Sequence, residues 1–161
     1  MDLACIPAEP TEADIESCVG ALLAGEQAGH GIEVMTWHAY APQLVARTVM
    51  LEAGTVVASL LHKVGHVVIF SGDCTVIGPG LHKRFAGYHV VESLASEDGK
   101  RRVVIAHADT WVTTVHSNPD DCQDVQELAK RYAADPHHLQ QTRFDLPAPP
   151  AMEALQWPGD G

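Results

Sequence analysis

The stretch GTVVASLLHKVGHVVIFSG, residues 54–72, decides how this chain folds on paper. Two apolar runs, at 55–61 and 67–70, are rich in Val, Ile and Leu and too short for helices, and the polar corner HKVGH lies between them. A hairpin is expected there, with His62 and His66 at its corner. Gly72-Asp73 reads as a second reversal, after which Cys74-Thr75-Val76-Ile77 begins another strand. Tight reversals repeated in this way build antiparallel sheet.

Outward from that block the same grammar continues. Upstream, IEVMTWHAY (32–40) and LVARTVMLEAG (44–54) read as strands, broken at Ala41-Pro42-Gln43. Downstream, Gly78-Pro79-Gly80 is a loop, FAGYHVVESL (85–94) a strand, Ser96-Glu97-Asp98-Gly99 a turn, and RRVVIAH and TWVTTVH close the set. Seven or more strands at intervals of roughly ten residues, with no helix among them, predict an antiparallel sandwich or barrel and exclude a parallel α/β sheet.

Helices are expected only at the two flanks. Thr11 with Asp14 three residues on has the form of a capping box, ahead of Ile15, Val19, Leu22 and Leu23 at helical spacing, and Gly25 ends the segment. Asn118, Pro119, Asp120 and Asp121 predict the start of a second helix carrying Val125, Leu128, Ala129 and Tyr132, stopped at Asp135-Pro136. The remaining stretch has four prolines in DLPAPPAMEALQWPGDG, with only Met152, Leu155 and Trp157 as large apolar groups. It reads as an extended tail, or as an arm that orders by packing Trp157 on a partner. The expected organisation is an arm and helix at 1–31, a β domain at 32–117, a helix at 118–135 and the tail at 136–161.

Composition narrows the function classes. At 161 residues and 46% hydrophobic, the chain has enough apolar side chains for one packed domain. No apolar run reaches the length of a membrane span, and the acidic first residues do not read as a signal peptide, so synthesis in a cytoplasm and no membrane partner are expected. Four scattered cysteines lack CxxC spacing, which points to reduced thiols. The net charge of −11 lies at the ends: seven acids and no Lys or Arg in 1–33, and eight acids against three bases in 118–161. Nucleic acid, which requires a basic surface, is not expected as a partner.

With these elements in order, the chain resembles the cupin superfamily, in particular the small single-domain cupin-like proteins encoded by tailed bacteriophages. The likeness covers about residues 12–133, and AHADTWVTTVH (106–116) is its most specific piece, followed by the 54–72 block. It implies a double-stranded β-helix, the cupin-type jelly roll, with one N-terminal and one C-terminal helix. Metal-binding cupins pair a glycine-led His-x-His…Glu motif with a second motif bearing one more His. Here only His62 falls at a ligand-like place, His66 sits near the slot of the missing Glu, and Arg102 stands where the resemblance implies the second-motif histidine.

Read without the family, His62 and His66 supply two imidazoles, whereas a mononuclear catalytic site generally requires three protein ligands. His107 or His116 is open as a third: His107, after VVIA, is placed to face inward, and His116, at a strand end, to contact the closing helix. No nucleophile elbow, phosphate loop or carboxylate pair is evident.

Two function classes follow. The first, favoured by the incomplete motif, the acidic ends and the apolar tail, is a non-enzymatic structural or accessory virion protein, a head decoration or tail-associated component without cofactor. Its partners would be its own copies and other virion proteins, after synthesis in the host cytoplasm. The second is a small metal-dependent cupin enzyme or small-molecule binder, with one divalent metal ion on His62, His66 and His107.

Overall fold

The computed structural model describes residue 7 and residues 9–31, 34–93, 101–134 and 143–145. Helix α1 (Glu12–Gly25) comes first and runs into a short π-helical turn at Glu26–His30. The strands are β1 (Val34–Ala41), β2 (Leu44–Leu51), β3 (Val56–Ala58), β4 (His66–Gly78), β5 (Leu81–Ser93), β6 (Val103–Ala106) and β7 (Thr110–Ser117). Helix α2 (Val125–Tyr132) and a short β8 (Arg143–Asp145), parallel to β1, follow. The architecture is mainly antiparallel β, a double-stranded β-helix with a helix on each flank.

Strand β4 organises it. Along one edge it pairs with β5 through its whole length, from His66↔Ser93 to Gly78↔Leu81. Along the other edge it changes partner: residues 67–71 pair with β7, and 74–77 pair with β6. The order β3-β6-β4-β7-β2-β1-β8 is therefore one sheet folded at the middle of β4. The fold lies at Gly72, paired with Gly87, at φ of 142° and 91°. Side chains rarely adopt this backbone conformation. At Gly72 space is lacking too, because a Cβ there would stand 2.5 Å from the Asp109 carbonyl oxygen and 2.5 Å from Thr110 Oγ1. Gly72-Asp73 is thus a bend within one strand and not the reversal expected from sequence.

The expected hairpin at 54–72 is also corrected. Its two arms do not pair: β3 lies against β6, as Val56↔Ile105 and Ala58↔Val103, and the segment carrying His62 crosses from one half of the sheet to the other. Short apolar runs report that strands exist, but not which strands meet. The folded sheet closes over Leu51, Val68, Phe70, Cys74, Val76 and Phe85, with Phe70 and Phe85 stacked at 4.8 Å.

At the flanks, the capping box at Thr11 and Asp14 is present, and α1 buries Ile15 and Val19 against Ile77 and Val103. The second helix starts later than expected. Asp124 is its N-cap, accepting from the N–H groups of Gln126 and Glu127, while Asn118 pairs with the backbone of Cys122 and closes a loop instead. An Asn side chain forms local backbone bonds in a turn as readily as at a cap, and here the turn wins. The turn at 96–99, the stop at Asp135-Pro136 and the Trp157 tail lie outside the described residues.

Candidate metal centre

Three elements bring three imidazoles together. His66 is the first residue of β4 and His116 lies near the end of β7, where it pairs with Val45 of β2. His62 sits on the crossing segment, held in place by α2: it forms a β-bridge with Ala133, Lys63 N–H donates to the Tyr132 carbonyl at 2.8 Å, and Ala134 N–H donates to the Leu61 carbonyl at 2.8 Å. Tyr132 stacks on His116 at 4.3 Å, and its hydroxyl donates to the Ser117 carbonyl at 2.7 Å. Helix α2 therefore roofs this end of the sheet and fixes two of the three rings.

The ring centroids are 4.0 Å apart for His62 and His66, 4.8 Å for His66 and His116, and 5.3 Å for His62 and His116. One ligand nitrogen from each ring lies within 4.8 Å of the others. Nitrogens on a shared tetrahedral zinc ion, each at about 2.1 Å, stand roughly 3.4 Å apart, so these three are set somewhat wider than a bound set.

Their hydrogen bonding favours ligation. His66 and His116 are buried and His62 is half-buried. The Nδ1 atoms of His62 and His116 are buried with no hydrogen-bond partner among the described residues. An unmet buried polar atom costs about 1–3 kcal/mol, so two in one cluster call for a ligand. His66 differs, because its Nδ1 lies 3.1 Å from the Val64 carbonyl. Donation from that nitrogen places the ring proton on Nδ1 and leaves the Nε2 lone pair open, as in the outer shell of metal-bound histidines.

Electrostatics point the same way. Burial, with the charges of His66, His116, Arg47 and Arg102 adding to it, pushes His62 down to about 3. Burial, then His66 and Arg47, pushes His116 down to about 4. His66 is lowered by burial, against the opposing effect of its bond to Val64 and with Arg102 adding. All three rings are neutral at neutral pH, the form that binds metal.

His107, named as a third ligand from sequence, is elsewhere. It is exposed beyond β6, with Nε2 2.7 Å from Thr75 Oγ1, at the opposite end of β4 from His66. His116 takes the place beside His62 and His66. Arg102, expected where a third histidine would stand, acts on His62 and His66 by its charge, and its N–H donates to Ser59 Oγ. The signal for His116 was the alternation in TWVTTVH, which puts Thr110, Val112, Thr114 and His116 on one face.

The expectation of a non-enzymatic chain is corrected by this cluster, three imidazoles close enough together to form a potential metal site. The structural neighbours are cupin superfamily proteins. They include a cupin superfamily protein from Desulfitobacterium hafniense (11% identity, TM-score 0.43, covering 54% of this chain and 81% of that one). KdgF from a Halomonas species is similar at 17% identity and TM-score 0.44, covering 55% and 82%. Salicylate 1,2-dioxygenase from Pseudoaminobacter salicylatoxidans is similar at 16% identity and TM-score 0.44, covering 73% of this chain and 33% of that one. No protein-family model matches the sequence, and no curated protein does. Likeness this shallow leaves the functional argument to the side chains.

Next to the cluster lies a cavity of about 40 Å³, partly open to solvent. His62 and His116 form one wall, Leu128 and Ala129 of α2 another, and Arg47 of β2 a third. A single water requires about 10–15 Å³ measured in this way, so the space suits a few waters or a small ligand.

Proposed function

We propose that this protein is a small metal-dependent cupin enzyme or small-molecule binder that holds one divalent ion on His62, His66 and His116. The observation that carries the reading is the pair of buried, unpartnered Nδ1 atoms on His62 and His116, beside a third imidazole whose tautomer is already set by the Val64 carbonyl. Neutral imidazoles suit zinc, iron, nickel or copper, and ions of this kind, when bound, supply Lewis acidity toward an oxygen-bearing ligand. The chain contributes the rest. Helix α2 covers the rings and limits water, Tyr132 fixes the plane of His116, and the crossing segment holds His62 toward the other two rings.

Metal analysis of protein purified without chelators tests this, and close to one ion per chain is expected. Substoichiometric metal in the purified protein, with no uptake on dialysis against zinc, iron or nickel, would sink the reading. The virion role rests on sequence features alone, the acidic ends and the apolar tail, and Met152, Leu155 and Trp157 of that tail lie outside the described residues. Mass spectrometry of purified phage particles is its test, and metal binding does not decide it.

A further inference from the structure

We propose that the outward face of the β5-β4-β7-β2-β1 half of the sheet is where two copies of this chain join, face to face, across a twofold axis.

Strand register lays that face out. Leu51, Val68 and Phe70 point into the core, so the residues alternating with them point outward. One row then crosses five strands as Tyr88, Ser71, Trp111, Met50 and Met35, each opposite the next. The row beside it sets Val90 and Ile69 on one side, and Trp37 on the other, of Thr48 and Thr113, whose hydroxyls bond each other at 2.8 Å. The other half of the sheet presents Ile77 and Val103 outward in the same way, and there α1 covers them with Ile15 and Val19. Helix α2 lies over the histidines instead, and Tyr88, Val90 and Trp111 are left 68%, 59% and 42% exposed.

Charge and size select the occupant. With three outward positions on each of the five strands, the face carries a single charged residue, Glu92 at one corner, on a chain of net charge −11. Over most of the surface two copies repel, whereas here they approach without burying unpaired charge. A strongly charged partner would find almost nothing of opposite sign to hold it. At about 4.8 Å between strands and about 6.7 Å between outward side chains, the face measures roughly 24 by 20 Å, or about 500 Å² before side-chain relief is counted. One side of a standard stable interface buries roughly 800 Å², so the face supplies the core of such an interface, with a polar rim around it. Trp111, on the central strand of the five, and Tyr88 are suited to anchor it, because aromatic groups carry much of the energy of such cores. The bond between Thr48 and Thr113 lowers the cost of drying the middle row. Twisted sheets stack face to face in this way, about 10 Å apart.

Sedimentation of the full chain over a range of concentrations, beside single-residue variants, tests the assignment. Twice the chain mass is expected, with a dissociation constant in the micromolar range or below. Trp111→Glu should weaken the dimer by about 100-fold or more, since a twofold interface carries each substitution twice. Val90→Glu lies at a more exposed position, should weaken the dimer in the same direction, and carries the test should Trp111→Glu fail to fold. Gln126→Glu adds the same charge at an exposed position of α2 and should leave the dimer intact. A monomer at every concentration, a dimer that neither Trp111→Glu nor Val90→Glu weakens, or equal weakening by Gln126→Glu would overturn the proposal. A monomer that dimerises only after Trp157→Ser would give the face to residues 146–161 of the same chain, and overturns it too.

Discussion

One histidine begins strand β4 and another packs beside its far half, and the two are used in opposite ways. Around the Gly72 bend the polar side chains bond one another. Thr110, fully buried, accepts from Asp73 N–H at 3.0 Å, and its single O–H donates to the Ala108 carbonyl at 2.8 Å with the Asp73 carbonyl at 3.2 Å; His107 bonds Thr75, and Arg84 holds Asp73 with two bonds. At the His66 end, rings stack on rings and two Nδ1 atoms meet nothing among the described residues. The paired end has the form of a structural knot, whereas the unpaired end leaves stability unrealised, as binding sites do. The difference teaches that a histidine's role here is read from what its nitrogens touch, and not from its place in a motif.

The sharpest way to break the comparison is at the knot. Gly72→Ala adds a methyl group where backbone atoms already stand within 2.5–2.7 Å, at a φ of 142°. A loss of about 3 kcal/mol or more in urea unfolding is expected, from strain and overpacking together. Metal content should fall only as the folded fraction falls. A variant of native stability would show that the bend is not the organising feature of the sheet.

A matched pair of substitutions sharpens it next. Thr110→Val removes a hydroxyl that serves three partners and strands the Asp73 N–H, so about 2 kcal/mol of destabilisation is expected with metal binding intact. His116→Phe removes a polar atom that has no partner and keeps a ring stacked on Tyr132, so the metal-free protein should be as stable as before or more so. Metal affinity should drop by a factor on the order of 100 in the same variant, as expected for loss of one ligand in three. Thermal melts with and without zinc read both. Equal destabilisation by the two substitutions would erase the distinction between the ends.

Much of this contrast was legible in the sequence, and the rest was hidden for physical reasons. Alternating apolar runs announced nearly every strand, and the capping box announced α1, because both signals are local. Pairing is not local. The 54–72 block read as a hairpin, whereas β3 chose β6, and Gly72 read as a turn because its glycine is needed for a bend that looks the same in one dimension. His62 and His66 stood out by being four residues apart, but His116 reaches them only through the β4–β7 register, fifty residues downstream of His66. Asn118 read as the cap of the second helix, but its side chain bonds Cys122 and closes a loop, which leaves the cap to Asp124.

Acid titration separates the ends without mutation. In the metal-free protein the folded values of His62 and His116, about 3 and about 4, lie below the 6.5 of an unfolded histidine. Below 6.5 the unfolded chain therefore binds more protons than the folded one, and stability falls as pH falls, down to the folded values. About 1–2 kcal/mol should be lost between roughly pH 6 and pH 5, measured by urea unfolding after chelation. In His116→Phe the slope should be shallower, while Thr110→Val should keep the full slope, displaced downward. An unchanged slope in His116→Phe would place the acid sensitivity elsewhere.

The smallest expected effect decides which histidine belongs to which end. His107→Ala removes one bond to Thr75 at an exposed site, where water replaces the lost partner, so a cost of about 1 kcal/mol or less is expected. Metal content should not change, since the ring lies at the far end of β4 from His66. Sequence reading put His107 forward as the third ligand and turned His116 toward the closing helix, and register exchanges them. Metal lost on replacing His107 and kept on replacing His116 would mean that the β4–β7 pairing differs in solution, and the assignment of a structural and a binding end would reverse with it.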